Sequence, residues 1–357
     1  MKEGWNYPGR LGCVLRLITF CMALLMCFAF LSQYVPPSSF AFFQWVGLSF
    51  PLLLIVNLGL LIFWIAHKKY WLFFPLVALL ANFFYYPRIY QLSFRNLPKQ
   101  DSVVDVVVAS YNVHGFRFDY GGSSLMKVAE LMEEKKVQVL CMQEVPNDLD
   151  KQTLLKAFHF MPHIASTETV KGASNIVVLS TFPITSEQTI SFPERPNCAI
   201  TADLAVGGKS IRIFTCHLQT TNWNQVKGRY GIEPEPKVDF DHLFDIESVV
   251  RRNYQYRALQ ADSLGRLIGE SQNPVIVCGD FNDPPFSYTY HKMKGTLTDS
   301  FVESGKGYSY TYRYLHKLFR IDYLFYSPAD FKANYYESPD VEYSDHNPII
   351  TGLAWAN

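Results

Sequence analysis

Pro274-Val-Ile-Val-Cys-Gly-Asp280-Phe-Asn-Asp-Pro-Pro285 decides how this 357-residue chain is read. Val275–Gly279 is an apolar run of strand type, and it stops at an acid, Asp280, with Asn282 two residues on. A proline-rich turn follows. Taken singly, Gly-Asp-Phe-Asn-Asp-Pro-Pro is ordinary turn chemistry. It gains meaning because the same layout returns along the chain.

Working outward, Val106–Tyr111 leads to Asn112, Val139–Gln143 to Glu144, and Ile211–Cys216 to His217. Ile321 precedes Asp322 at a strand start, and Asp345-His346 precedes the last strand. Any one of these has a plain structural explanation: an Asn after a strand is usually a turn residue, and a lone half-buried Glu or His is usually a satisfied structural group. An ordered series of them is harder to dismiss, because polar residues at strand ends converge on one rim of a sheet. Between them lie further strands at 103–111, 137–143, 175–180, 199–204 and 210–217, the last two joined by a Gly207-Gly208 turn that suggests a hairpin. Strands at 321–327 and 348–354 complete the set. Residues 124–136 and 247–269 read as helices. Strands with intervening helices argue for layered sheets flanked by helices. Asn222–Phe244 has no clear periodicity and reads as a loop covering the site, and Phe286–Tyr314 reads as a second, tyrosine-rich loop.

The blocks Ser110-Tyr111-Asn112-Val113, Gln143-Glu144-Val145, Cys216-His217-Leu218, Gly279-Asp280-Phe281-Asn282, Ile321-Asp322-Tyr323 and Ser344-Asp345-His346-Asn347-Pro348 resemble, in order, the endonuclease/exonuclease/phosphatase superfamily. The resemblance covers essentially all of 101–357. Asp299-Ser300-Phe301, and Arg257 with Gln260, also fit. It implies a four-layer α/β sandwich, two packed mixed sheets with helices outside.

It also implies the chemistry. Cutting a phosphate ester requires neutralising the phosphate, placing water in line and stabilising the leaving oxygen. By the resemblance, Glu144 is the principal metal ligand, supported by Asn112 and Asp345. Oxygen donors of this kind suit Mg²⁺, with Mn²⁺ as a substitute. Asp280 is then the general base, and Asn282 holds that base or a phosphate oxygen. His346 contacts phosphate as an imidazolium paired with Asp322, and His217 is a second phosphate contact or proton donor. His114 and Asn175, with Lys171 and Ser174 nearby, are further candidates. The expected activity is metal-assisted attack of water without a covalent intermediate. The superfamily spans lipid and inositol phosphate hydrolases as well as DNA and RNA nucleases, so the catalytic residues do not choose the substrate. A scavenging nuclease is the alternative. A dead domain in a binding or structural membrane protein is the alternative of another class.

The first 97 residues lie outside the resemblance. Apolar runs at about 11–35, 40–66 and 71–87 predict three transmembrane helices ahead of a catalytic domain at 98–357. A cleaved signal peptide explains the first run less well, because more apolar segments follow it. The first 97 residues hold seven Lys/Arg and one acid, whereas the rest holds 25 basic and 31 acidic residues. A mildly acidic catalytic domain is a poor match for tight non-specific binding of long nucleic acid. Lys2, Arg10 and Arg16 in the tail and Lys68-Lys69 in the second loop favour the cytoplasm. Three spans then place the domain on the extracytoplasmic side of the cytoplasmic membrane. The partners expected are a phosphate-ester substrate and the lipid bilayer, with no protein partner evident. Cys141, Cys198, Cys216 and Cys278 are spread singly and read as buried thiols.

Overall fold

The structure, a computed structural model, describes residues 9–92, 104–118, 121–167, 174–193, 195–221 and 240–356. Lys171 and most of the loop expected at 222–244 lie outside them. Four helices come first: α1 (Gly9–Leu31), α2 (Phe42–Leu48), α3 (Phe50–Ala66) and α4 (Phe73–Ala81), then the short β1 (Tyr90–Gln91). The remainder runs β2 (Val106–Asn112), α5 (Leu125–Glu134), β3 (Val139–Val145), α6 (Lys151–Ala157), β4 (His163–Ser166), β5 (Asn175–Ser180), β6 (Ile184–Phe192), β7 (Arg195–Val206) and β8 (Lys209–His217). It continues α7 (Phe240–Gly269), β9 (Val275–Asp280), α8 (Tyr288–Lys294), β10 (Thr298–Asp299), α9 (Ser300–Ser304), β11 (Gly307–Tyr308), β12 (Asp322–Tyr326), β13 (Phe331–Glu337) and β14 (Ile349–Trp355).

Twelve of the strands form two six-stranded mixed sheets, ordered β13-β14-β2-β3-β5-β4 and β10-β12-β9-β8-β7-β6, and β1 pairs with β11. Period-two alternation sorts their side chains into layers. Val106 and Val108 of β2, Val139 and Cys141 of β3, and Val178 of β5 meet Ile213, Ile276 and Leu324 of the other sheet in one core between the sheets. The alternate residues Val107, Ala109 and Tyr111 face outward onto Val128, Met132 and Leu154 of α5 and α6. On the far side, Phe214, Val277 and Phe325 face Ala261, Leu264 and Met293 of α7 and α8. The order helix, sheet, sheet, helix is the expected sandwich.

All eight interior strands coincide with runs legible in the sequence, and all four edge strands, β4, β6, β10 and β13, fall outside those readings. The physical reason is exposure. An edge strand need not be apolar on both faces, and in β6 Thr185, Ser186, Glu187 and Gln188 are all exposed. The Phe286–Tyr314 segment is not simply a loop, since it folds into α8, β10, α9 and β11. Cys141, Cys198, Cys216 and Cys278 are buried free thiols.

In the N-terminal region, α1 contains a segment, Arg10–Leu31, long and apolar enough to cross a membrane, and only 22% of its apolar window is buried. Helices α2 and α3 pass the same test only as a pair, bent by 66°. The apolar stretch Tyr70–Ala81 is shorter. Polar side chains tie the helices together: Trp64 Nε1 donates to Thr19 Oγ1 (2.9 Å), Asn57 Nδ2 to the Met22 carbonyl (3.2 Å) and Asn82 Nδ2 to the Met26 carbonyl (3.0 Å). Such bonds suit helices packed in an apolar medium.

Candidate active site

Strand direction explains why residues far apart in sequence meet. β2 and β3 are parallel, as are β8 and β9, so the C-terminal ends of each pair share a rim, with Asn112 opposite Gln143 and His217 opposite Asp280. β12 and β14 run antiparallel to their neighbours and therefore start at that rim. Asp322 lies opposite Asp280, and Asp345-His346 sit just before β14. The inward positions grow more polar toward the rim. On β2 the series is Val106, Val108, Ser110, Asn112; on β8 it is Ile211, Ile213, Thr215, His217; on β9 it is Ile276, Cys278, Asp280. Gln143 Nε2 donates to Thr215 Oγ1 (3.0 Å), joining the two sheets directly below the site.

Backbone irregularities aim the last residues. Alternation from the inward Gln143 would send Glu144 toward the outer helices. Instead β3 shifts register between Met142 and Val145, Glu144 takes φ +57°, and Val145 joins the outer core. His114 (φ +44°) and Asn282 (φ +54°) are also left-handed. Three non-glycine residues in this sparsely populated region line one cleft, a pattern typical of functional sites. Gly279 has a different reason: a Cβ there would lie 2.1 Å from the Cys216 carbonyl oxygen, so only glycine lets β8 and β9 meet before His217 and Asp280.

All eight predicted site residues converge. Asn112 Nδ2 donates to Glu144 Oε1 and to Asp280 Oδ2, both at 3.0 Å, while its Oδ1 accepts the His114 backbone N–H (3.1 Å). The sequence placed Asn112 among the metal ligands; the structure makes it a bridge between two carboxylates. The Asn282 backbone N–H donates to Asp280 Oδ1 (2.8 Å), and Asn282 Nδ2 donates to the Leu218 carbonyl (3.1 Å). His346 Nδ1 pairs with Asp322 Oδ2 at 2.8 Å, and His346 Nε2 lies 3.8 Å from Asp280 Oδ2. His217 Nε2 sits 3.5 Å from Glu144 Oε1 and 3.7 Å from Asp280 Oδ2 and has no hydrogen-bond partner.

Environment separates the two central carboxylates. Burial is the strongest single influence on Glu144 and opposes its ionisation, but His114, His217, Asn112 and His346 together hold its carboxyl well below the usual range. Burial and the neighbouring Asp322 carboxylate push Asp280 up, against the pull of His346, His217 and Asn112. Burial alone would depress His346, yet Asp322 and Asp280 raise it well above the ordinary imidazole value and keep it charged.

The cleft has a volume of about 300 Å³. His114 lines it, with Nδ1 3.4 Å from Glu144 Oε2 and 3.6 Å from Asp345 Oδ1, so those two anions converge on one point. Asn175, at the start of β5, is not among the described lining residues. Tyr312, one of the tyrosines of the Phe286–Tyr314 segment, lines the cleft, and so does Leu48, which the sequence does not point to. Tyr312 packs edge-on against His346 at 5.2 Å. Pairing with His346 brings Tyr312 to the site, and the docking of Phe50 on Phe286 brings Leu48 there. Arg257 is fully buried, pairs with Asp283 at 3.0 Å, and donates to the Gln219 carbonyl and Thr221 Oγ1 (2.7 and 2.8 Å). It thereby fixes the loops after His217 and after Asn282.

Two groupings could hold a metal. Asp280, Asp322 and His346 bring ligand atoms within 4.8 Å of one another. There, however, His346 and Asp322 already satisfy each other in a buried ion pair. Glu144 and Asp345 offer carboxylate oxygens directly to the cleft, and such hard donors fit a hard divalent ion.

A family model described as the Endonuclease/Exonuclease/phosphatase family matches residues 109–346. The chain belongs to this family, and so to the metal-dependent phosphoester hydrolases. A second model, described only as a domain of unknown function, matches residues 13–89. No curated protein matches the chain. Similar solved structures include an endonuclease/exonuclease/phosphatase from Beutenbergia cavernae (18% identity, 71% of this chain and 72% of that one, TM-score 0.50). They also include a humanized D. rerio TDP2 carrying 14 mutations (16%, 70% and 98%, 0.50) and the human Nocturnin catalytic domain with bound sulfate (18%, 73% and 100%, 0.50). At such identities the likeness establishes the fold of an endonuclease/exonuclease/phosphatase domain.

Proposed function

We propose that this family member is a membrane-anchored, Mg²⁺-dependent phosphoesterase that hydrolyses a phosphodiester or phosphomonoester by direct attack of water. Residues 1–97 form its membrane region and 98–357 its catalytic domain. The observation that carries the reading is the pairing, in one cleft, of an ionised Glu144 with a buried Asp280 whose carboxyl is pushed up. Environments that drive two carboxyl groups apart assign them different work.

Glu144 and Asp345, supported by Asn112, would hold the metal, which when bound neutralises phosphate charge; Mn²⁺ would serve in its place. Asp280 accepts a proton from the attacking water. Its Oδ1 accepts from the Asn282 backbone N–H and its Oδ2 from Asn112 Nδ2, and these bonds fix the orientation of the carboxylate. His346, kept charged by Asp322, binds a phosphate oxygen. The unpartnered His217 Nε2 contacts phosphate or delivers a proton to the leaving oxygen. In balance, water oxygen bonds to phosphorus, the ester P–O bond breaks, and the alcohol departs protonated.

The course of the helices supports an integral protein with an extracytoplasmic catalytic domain. Ser32 after α1, Phe50 at the start of α3 and Arg88 after α4 all touch the Pro285-Phe286 turn of the catalytic domain. The opposite ends of the helices carry Arg10 and Arg16, at the start of α1, and Lys68-Lys69, after α3. Positive charge at the end away from the domain favours the cytoplasm for that end. Purified full-length protein assayed with Mg²⁺ on plasmid DNA, RNA, sphingomyelin, phosphoinositides and aryl phosphates tests the activity. Rates no higher than those of the Asp280→Asn variant on every ester would end the reading. A cytoplasm-only reporter fused after Asn357 tests the orientation, and a signal from it would reverse the sidedness.

A further inference from the structure

Resting on the phosphoesterase reading, we infer that the ester belongs to a membrane lipid. Its phosphate sits at the acidic and imidazole floor of the cleft. Its apolar tail leaves along a wall built where the N-terminal helices meet the catalytic domain.

Three observations converge. The first is Leu48. It ends α2 at the 66° bend into α3, and it lines the same cleft as Glu144 and Asp280. Pro284, Phe319 and Ile321 continue that side, so the cleft is polar at its floor and apolar on the wall toward the helices. From there a groove runs on past Leu48, Pro51, Ile89, Phe286, Leu318 and Phe319, with the guanidinium-bearing Arg88 and Arg320 also in its lining. An inorganic or sugar phosphate gains nothing from such a wall, whereas an amphipathic ester gains with every methylene it buries.

The second is the distribution of exposed apolar side chains. Most belong to the N-terminal helices. Among the described residues from 104 onward there are five large ones: Met126, Leu259, Tyr308, Tyr314 and Leu318. Three of these, Tyr308, Tyr314 and Leu318, lie on the single segment 308–318, with exposures of 42%, 49% and 52%, and Tyr308 and Leu318 also line the groove. Aromatic and leucine side chains of this kind suit a bilayer interface. Their position continues the apolar surface of the helices onto the mouth of the site.

The third is attachment. The turn that follows Asp280 and Asn282 is clamped to the helices: Phe286 stacks on Phe50 with centroids 4.3 Å apart, Ser32 Oγ donates to the Phe286 carbonyl, and Arg88 Nη1 donates to the Pro285 carbonyl (3.1 Å). Buried Arg320 in turn donates to the Arg88 carbonyl (3.1 Å). These contacts hold the mouth at the domain end of the helices. Among the described lining residues of the cleft there is no lysine or arginine. A polyanionic nucleic acid normally recruits such cations along its track.

Chemically, water oxygen bonds to the lipid phosphorus and the P–O bond to the tail-bearing alcohol breaks. That alcohol takes a proton and stays in the membrane, while the phosphate or phosphate monoester departs into water.

The test uses the full chain in phosphatidylcholine nanodiscs with Mg²⁺. Dioleoyl and dibutanoyl forms of phosphatidic acid, phosphatidylinositol phosphate and phosphatidylcholine are compared as matched pairs. Bis(p-nitrophenyl) phosphate, plasmid DNA and RNA are run alongside. For at least one pair, kcat/KM is expected to favour the dioleoyl member by about tenfold or more. Leu48→Glu is expected to shrink that ratio to near unity, whichever way the absolute rates move. If Leu48→Glu does not fold, Tyr314→Ser with Leu318→Asp on the exposed segment provides the same reading. Hydrolysis of the soluble esters or nucleic acid without a chain-length preference would overturn the lipid inference and leave the phosphoesterase reading standing. No turnover of any ester would overturn both.

Discussion

The two sheets bring different halves of the site. The first supplies Asn112, Glu144 and Asp345, with His114 above them. Glu144, Asp345 and His114 line the cleft, whereas Asn112 is fully buried, and Glu144 is 28% exposed and held ionised. The second supplies His217, Asp280 and Asp322, and both of its carboxylates are only 1% exposed. The sheets share a topology, a parallel central pair flanked by antiparallel strands, yet one presents accessible negative charge while the other hides it. Accessible charge suits a cation, and hidden charge suits proton transfer. Asn112 spans the difference, with one amide nitrogen on Glu144 and on Asp280.

The comparison can be broken at its deepest point first. Asp280→Asn keeps the size and the bond to Asn282 but removes the base. We expect kcat to fall about 10²- to 10⁴-fold in steady-state assays, with thermal stability nearly unchanged. Next, Glu144→Gln should raise the Mg²⁺ concentration for half-maximal rate by about tenfold or more. The same rise in the Asp280 variant would erase the distinction between the halves. Arg257→Ala probes the frame that supports the second half, because it leaves Asp283 buried without its partner. We expect a loss of about 3–5 kcal/mol in denaturant unfolding, with a collapse of activity only as the fold is lost. The smallest effect is assigned to His114→Ala. Its ring is 48% exposed, and it contacts the two cleft-facing anions without being fixed by buried partners. A change in kcat of less than about tenfold is expected; a larger one would move His114 into the essential chemistry.

The same contrast between buried and exposed explains what could be read in advance. β2, β3, β8 and β9 are buried on both faces, so their apolar runs stand out, and the residues that end them name the site. β6 alternates nothing visible, because the consecutive residues Thr185, Ser186, Glu187 and Gln188 are exposed on both of its faces. Tyr312 and Leu48 carry no local signal. Tyr312 reaches the site through pairing with Phe319 and His346, and Leu48 reaches it through the docking of Phe50 on Phe286. Nor could the sequence show that Asn112 turns its nitrogen, not its oxygen, to the carboxylates. Bending also hid the form of the N-terminal region. The run from 40 to 66 looks like one span, but it breaks at Ser49 beside Pro51, and the helix before the break turns toward the cleft.

The division of labour itself is tested most directly by Mn²⁺ binding, followed by electron paramagnetic resonance on the full-length protein without substrate. Wild type, Glu144→Gln and Asp280→Asn are compared, each with its turnover measured in parallel. The account predicts that Glu144→Gln weakens Mn²⁺ binding by at least about tenfold, while Asp280→Asn still binds Mn²⁺ but turns over almost no ester. Loss of binding in Asp280→Asn with binding retained in Glu144→Gln would place the metal at Asp280, Asp322 and His346, and would contradict the account.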